Sequence, residues 1–505
     1  MGPYGLKGLT GRALLYIVAD TLSRGSAILM IPLYTWFMSP QDYGILALAS
    51  LINSFLVMLL SFGGASVVIR FYHQYSDEGE RARFLGGFWL FLVIVPGAII
   101  AAALILIPSI FGALFHKVPF HPYVELICAS AYMTIAFGTV LPNLYRAREQ
   151  AGRYLALSVG TMVATVAFTV VLVVIERGGA SGALAAQCIA AGLLSLVSIV
   201  LLIREVSPGW RGANLRAALK YGLPLIPHFA AHWTLSISDR AILERFASIS
   251  GLGIYSLAYQ FGTVLQMLIT SVNQAIIPAF SRAANNSDVR GTLGRLATYF
   301  YLAVALLTLP VALAARDLIH LFTPPSYHEA GQLVPFIALG IAAMGFYFIP
   351  MNLLSMTAGR TGKIPLITVS AAAINVGLNL LLVPRMGIQA AAIDTAIGYG
   401  ALAVFTTLYA RRIIHLAYEV ERIAKLAGAA LLIYALGVLL GDSIYDRSIL
   451  LDLALKLTLV ALLPMVLWLL GFWTPGEKAK ITSTLSRAFR APRAEYQVSQ
   501  EGSRQ

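Results

Sequence analysis

Residues 85–111 read LGGFWLFLVIVPGAIIAAALILIPSIF, a run without one ionisable side chain. A helix needs about 20 mostly apolar residues to cross the roughly 30 Å hydrocarbon core of a bilayer. The run exceeds that length, so it reads as a membrane span. The composition extends the reading to the whole chain of 505 residues: 58% are apolar and 12% are Asp, Glu, Lys or Arg, where soluble proteins carry about 45–50% and about 25%. A soluble enzyme, a nucleic-acid-binding domain and a disulfide-stapled secreted fold are thereby excluded. Cys128 and Cys188 lie in apolar runs without a metal or redox spacing and read as packing residues. The N-terminal stretch carries Lys7 and Arg12 and runs through Asp20 and Arg24 to Phe37 with no small-residue cleavage site, so it is expected to be retained as the first span.

The same ruler gives about fourteen spans, at 12–37, 43–69, 85–111, 123–144, 155–175, 180–203, 221–243, 251–280, 296–315, 329–357, 364–383, 388–410, 426–441 and 449–471. The expected class is an all-α polytopic membrane protein. If the N-terminus is cytoplasmic, the inner segments hold 27 of the 36 Lys and Arg residues, the outer segments six, and the spans three. An asymmetry kept in phase through every crossing puts both termini in the cytoplasm. The net charge of +13 is thus accounted for by topology, with no nucleic-acid partner.

A shift of 209 residues lays Phe37, Ser39, Gly44, Ile45, Leu48 and Ala49 on Phe246, Ser248, Gly253, Ile254, Leu257 and Ala258. A shift of 208 lays Arg177, Gly179 and Gly192 on Arg385, Gly387 and Gly400. Six spans are an even number, so the two halves are expected to be parallel repeats around a central cavity. The expected organisation is an N-lobe at 1–205, a C-lobe at 206–424, two additional helices at 425–471 and a basic cytoplasmic tail at 472–505. Pro224 and Pro227 are the expected bend for alternating access, although kinking for packing alone is an equal reading.

Charges inside spans cost about 2.5–3.5 kcal/mol on insertion scales, so each needs a partner or a wet cavity. Asp20 and Arg24 are spaced i,i+4 on one face of the first span. They either cancel as an internal ion pair or point into the cavity, where Arg24 meets an anion. The seventh span carries His228, His232 and Asp239 on one stripe, with Arg240 beside it. The histidines read as hydrogen-bonded core or as cavity wall; a metal site is disfavoured because no fourth ligand is evident. Gln260, Asn273 and Asn375, like Gln266, Gln274, Asn352 and Asn379, are either interhelical hydrogen-bond partners or a polar cavity wall for a sugar-like substrate. Asp394 is a lone acid and a candidate for coupling to a H+ or Na+ gradient. Asp452 and Lys456, again i,i+4, are expected to satisfy each other. No catalytic residue, metal or cofactor is called for.

The block from Asp20-Thr-Leu-Ser-Arg24 through Ile31-Pro32-Leu33 to Ser39-Pro40-Gln41-Asp42-Tyr43-Gly44 resembles the opening of the oligosaccharide (polysaccharide) flippases. That family belongs to the superfamily of the multidrug and toxin extruders and the peptidoglycan-precursor flippase. The resemblance covers the layout of nearly the whole chain. It implies a transporter in the bacterial cytoplasmic membrane that moves undecaprenyl-diphosphate-linked oligosaccharides to the outer leaflet for surface-polysaccharide assembly. It also implies that cationic residues on the first helix of each lobe meet the pyrophosphate, a role that Arg24 and Arg240 match here. Implied partners are the lipid-linked oligosaccharide, membrane lipids and polysaccharide polymerase or export machinery. The alternative is a cation-coupled multidrug extruder, which should show more acidic cavity residues. A polytopic glycosyltransferase or polymerase would need a sizeable external loop with catalytic acids, and the longest external segments are about a dozen residues.

Overall fold

The computed structural model describes residues 30–106, 119–207, 212–283, 289–357, 362–413, 417–445 and 448–489. A helical segment at 30–37, α1, enters the bundle. Ser39 then caps α2 (Pro40–Leu60): its hydroxyl accepts from the Asp42 amide, the Asp42 carboxylate reaches back, and Pro40 occupies the first turn. There follow α3 (Gly64–Gln74), α4 (Glu78–Leu106), α5 (Tyr123–Ala136), α6 (Val140–Ala147), α7 (Ala151–Thr169), which runs into a π-helical turn at Val170–Ile175, and α8 (Gly179–Leu202). A short amphipathic helix, α9 (Gly212–Gly222), leads through one 3-10 turn at Leu223–Leu225 into α10 (Ile226–Phe246). The expected bend at Pro224 lies in that turn.

The second half continues with α11 (Ile249–Ala283), α12 (Val289–Phe322), α13 (Ala330–Asn352), α14 (Ile364–Met386) and α15 (Ile388–Arg411). It ends with α16 (Val420–Tyr445), α17 (Ile449–Ala461), α18 (Leu463–Leu469) and α19 (Pro475–Phe489).

Among the described residues, twelve helical stretches are long and apolar enough to cross a membrane. Fourteen spans were expected. The first, 12–37, is described only from residue 30. The seventh is a continuous 21-residue helix, α10, whose histidines and charged residues, Asp239, Arg240, Glu244 and Arg245, keep it outside that set. The span expected at 43–69 is also not one straight rod. It breaks where Gly63 takes φ 68°, and α3 leaves at an angle to pack on α6, with Gly64 against Thr139.

The contacts between the two halves are reciprocal. A Cβ on Gly44 would overlap the Ile249 carbonyl oxygen, and a Cβ on Gly253 would overlap the Pro40 carbonyl oxygen. Under the 209-residue shift these are one contact made twice, the pattern that a twofold axis between α2 and α11 produces. The neighbourhood follows suit. Ser39 accepts from Asp42 N at 3.2 Å and Ser248 accepts from Gly251 N at 2.9 Å. Asp42 faces Gly179 as Gly251 faces Ile388. Gly179 and Gly387, which lead into α8 and α15, both need positive φ, 55° and 59°, a region that other residues enter only with strain.

Two apolar cores result. The larger joins α2 to α10–α15 and includes Leu48, Tyr255, Phe300 and Tyr327. The smaller lies within the N-terminal half around Phe71, Phe84, Phe88 and Leu141, and α9 contributes Leu215, Ala218, Leu219 and Tyr221 to it.

Candidate functional site

A cavity of about 420 Å³ lies between the halves, beneath the Gly44–Gly253 contact. Its lining on α2 runs from Tyr43 to Ser54, about 16 Å along the helix axis. Beyond Ser54 the halves meet again: Trp233 of α10 donates to Ser54 Oγ at 3.1 Å and packs on Phe55 with ring centroids 5.0 Å apart. The other end is sealed by hydrogen bonds across the halves, Tyr327 OH to Met38 O at 2.9 Å and Trp36 Nε1 to Phe322 O at 3.0 Å. Tyr34, Tyr43 and Tyr327 stack edge-on beside them.

The N-terminal half lines the cavity with Tyr34, Tyr43, Ser50, Ser54, Thr165 and Gln187 among apolar residues. The C-terminal half contributes Ile237, Arg240, Ser256 and Gln260. Arg240 is held from two sides. Its guanidinium carbon lies 4.3 Å from the centre of the Tyr259 ring, and its Nη1 is 3.9 Å from Asp239 Oδ1. Asp239 is buried and does not line the cavity. It accepts from the Arg240 amide at 2.8 Å and from the Tyr255 hydroxyl, which lies 3.2 Å from Thr395 Oγ1. The buried carboxylate and the Tyr259 ring together offset part of the cost of burying the Arg240 charge.

Of the residues singled out in the sequence, Arg240 and Gln260 line this cavity. Asp20 and Arg24 lie outside the described residues. His228 and His232 fall on α10, but their side chains are likewise outside the description. Asn273 accepts from Asn352 at 2.8 Å, and Asn375 accepts from Ser238 at 3.3 Å and donates to the Asp394 carbonyl at 3.1 Å. These amides join helices, as do Gln266 and Met344. Asp394 is fully buried in α15, and neither carboxylate oxygen has a hydrogen-bond partner among the described residues. Among the described residues no group of three His, Cys, Asp or Glu side chains is placed to hold a metal.

Asp452 and Lys456 pair as expected, at 2.7 Å, but the sequence reading missed a third member: Asp317 of α12 also takes Lys456 Nζ, at 2.8 Å. The neutral hydroxyls of the cavity were missed as well. Their one signal was the i,i+4 spacing of Ser50 and Ser54.

The fold is that of known transporters. It superposes on a structure of "Lipid II flippase MurJ, inward closed conformation" with TM-score 0.72 at 14% identity, covering 90% of this chain and 99% of that one. An inward-facing multidrug resistance MATE family transporter of the MOP superfamily matches with TM-score 0.56 at 17% identity, covering 79% and 93%. Among curated proteins, Lsg locus putative protein 1 of Haemophilus influenzae is 23% identical over 283 residues, 54% of this chain and 65% of that protein. An uncharacterized membrane protein of Methanocaldococcus jannaschii is 22% identical over 204 residues, 40% of each chain. The chain thus spans less than two thirds of the length of these curated relatives. The profile of the polysaccharide biosynthesis proteins matches residues 10–284, more than half of the sequence, and the chain belongs to that family.

Proposed function

We propose that the protein flips a polyprenyl-diphosphate-linked oligosaccharide from the cytoplasmic to the outer leaflet of the bacterial cytoplasmic membrane by alternating access. The observation that carries this reading is Arg240 on the wall of a cavity between the halves. A headgroup with two phosphates and several sugars cannot cross hydrocarbon, and a cation in a polar cavity gives it a place to cross while the lipid tail stays between helices. The halves are the N-lobe, 1–205, and the C-lobe, 206–424, which rock about the Leu223–Leu225 turn. The end sealed by Tyr327 and Trp36 is the outer one, with both termini cytoplasmic.

Arg24 faces the same cavity and pairs with the diphosphate when substrate displaces Asp20. His228 and His232 extend the polar wall along α10, and Asp394 couples the cycle to a H+ or Na+ gradient. Among the described lining residues none is acidic, which favours an anionic headgroup over the cationic cargo of an extruder.

The test is complementation of surface-polysaccharide display in cells. Arg240→Ala and Arg24→Ala are expected to abolish display at normal expression, and the Lys variants to keep part of it. Full display by both Ala variants would sink the proposal.

A further inference from the structure

The hydroxyls of the cavity are not equivalent to a random polar lining. Ser50 donates to Leu46 O at 2.9 Å, Ser54 to Leu51 O at 2.8 Å and Thr165 to Thr161 O at 2.9 Å. Each spends its one proton on its own helix; Ser54 Oγ also accepts from Trp233, so it is Ser50 and Thr165 that present lone pairs toward the cavity. Acceptors suit the O–H and N–H groups of a sugar and oppose a carboxylate or phosphate, which brings only further lone pairs. Across the cavity, Ser256 is 5% exposed, its Oγ has no hydrogen-bond partner among the described residues, and it lies in the lining beside Arg240 and Gln260. A buried hydroxyl without a partner costs free energy until a ligand supplies one.

We infer that the cavity is chemically divided: its Arg240 wall takes phosphate, and the acceptor wall of Ser50 and Thr165, faced by Ser256, takes an uncharged sugar directly attached to it. The protein then selects lipid-linked saccharides whose first residue is a neutral, hydroxyl- or acetamido-bearing sugar, and discriminates against a uronic acid in that position. This deepens the proposed function and rests on it.

The experiment measures binding of three short-chain probes to the full-length protein in nanodiscs: polyprenyl diphosphate, its hexosyl derivative and its hexuronosyl derivative. In the wild type the hexosyl probe is expected to bind about tenfold tighter than either of the others, the equivalent of one good hydrogen bond. Ser50→Ala and Ser256→Ala should each erode that ratio and leave the bare diphosphate unaffected. Arg240→Gln should weaken all three probes alike. A hexuronosyl probe that binds the wild type as tightly as the hexosyl one overturns the inference. So does a hexosyl preference that survives in both serine variants with wild-type melting temperature. In both cases binding of the bare diphosphate leaves the flippase reading standing; if none of the three probes binds, both readings fall together.

Discussion

Gly253→Ala puts a methyl group into the contact that seals the outer end of the cavity. The new Cβ would overlap the Pro40 carbonyl oxygen and lie 2.9 Å from the Gly44 nitrogen and 3.0 Å from the Pro40 carbonyl carbon. These are backbone atoms of α2, so no side chain can swing aside, and the helices must move apart by a substantial fraction of an ångström or more. Overpacking of this kind costs about 1–3 kcal/mol. In the proposed cycle the cost falls only on the state in which α2 and α11 touch, because rocking would separate them. The ratio of outward-open to outward-closed protein should therefore rise about 5- to 150-fold.

The assay is the labelling rate of a single cysteine at Ala47, which lines the cavity, in a background with Cys128 and Cys188 replaced. A membrane-impermeant maleimide is added to the outer side. The control is Gly428→Ala in α16, where a Cβ meets nothing within 4 Å. An unchanged labelling rate in Gly253→Ala, with the protein folded and the control also unchanged, would refute both the sealing role and the assignment of this end to the outside. Gly44→Ala should reproduce the effect, since the reciprocal contact brings its Cβ against Ile249.

Lys456→Met should destabilise the protein by about 3–5 kcal/mol, because it strands Asp317 and Asp452 in the interior. Adding Asp317→Asn and Asp452→Asn should restore most of the loss in a thermal unfolding series. Asp394→Asn should leave the melting temperature unchanged or raised, since it removes a buried acid without hydrogen-bond partners among the described residues, while gradient-driven polysaccharide export falls; export that keeps its dependence on the gradient refutes the coupling role. In α19, burial works against the Glu477 carboxylate. The Tyr299 hydroxyl, the Thr474 amide and the Arg422 guanidinium outweigh it and hold the Glu477 carboxyl below its ordinary range. A depressed carboxyl stabilises the folded state above its unfolded value and loses that contribution as pH falls through its folded value. Glu477→Gln should thus loosen α19 at pH 7, read as faster proteolysis of the C-terminal tail, and differ little from wild type only in acid below the depressed folded value of Glu477.

The spans were legible because a bilayer imposes length and apolarity on each helix separately, and Phe84–Leu106 or Gly179–Leu202 needs no partner to meet those demands. Gly44 and Gly253 stood out in the sequence because close backbone approach tolerates nothing larger. What escaped the sequence was whatever depends on two distant helices. Asp452 and Lys456 share a helix face, so their spacing announces them; Asp317, on another helix, gives no such signal. Ser50, Ser54, Thr165 and Ser256 look like any hydroxyl in a membrane helix until the cavity brings them together. The breaks at Gly63 and between α5 and α6 escaped for a related reason. No proline stands beside Gly63, Pro142 in the first turn of α6 is one of many prolines in the spans, and α3 packs on α6 across the two breaks.

The place of α9 has a consequence for biosynthesis. Its Leu215, Ala218, Leu219 and Tyr221 complete the core around Phe71 and Phe84, and Arg70 closes over the Tyr221 ring at 4.3 Å. The core of the first six spans is therefore complete only once residues 212–222 have been made. A chain arrested short of α9 would present an uncovered aromatic surface to quality-control proteases, so the short helix between the halves acts as a checkpoint in translation order as well as a link.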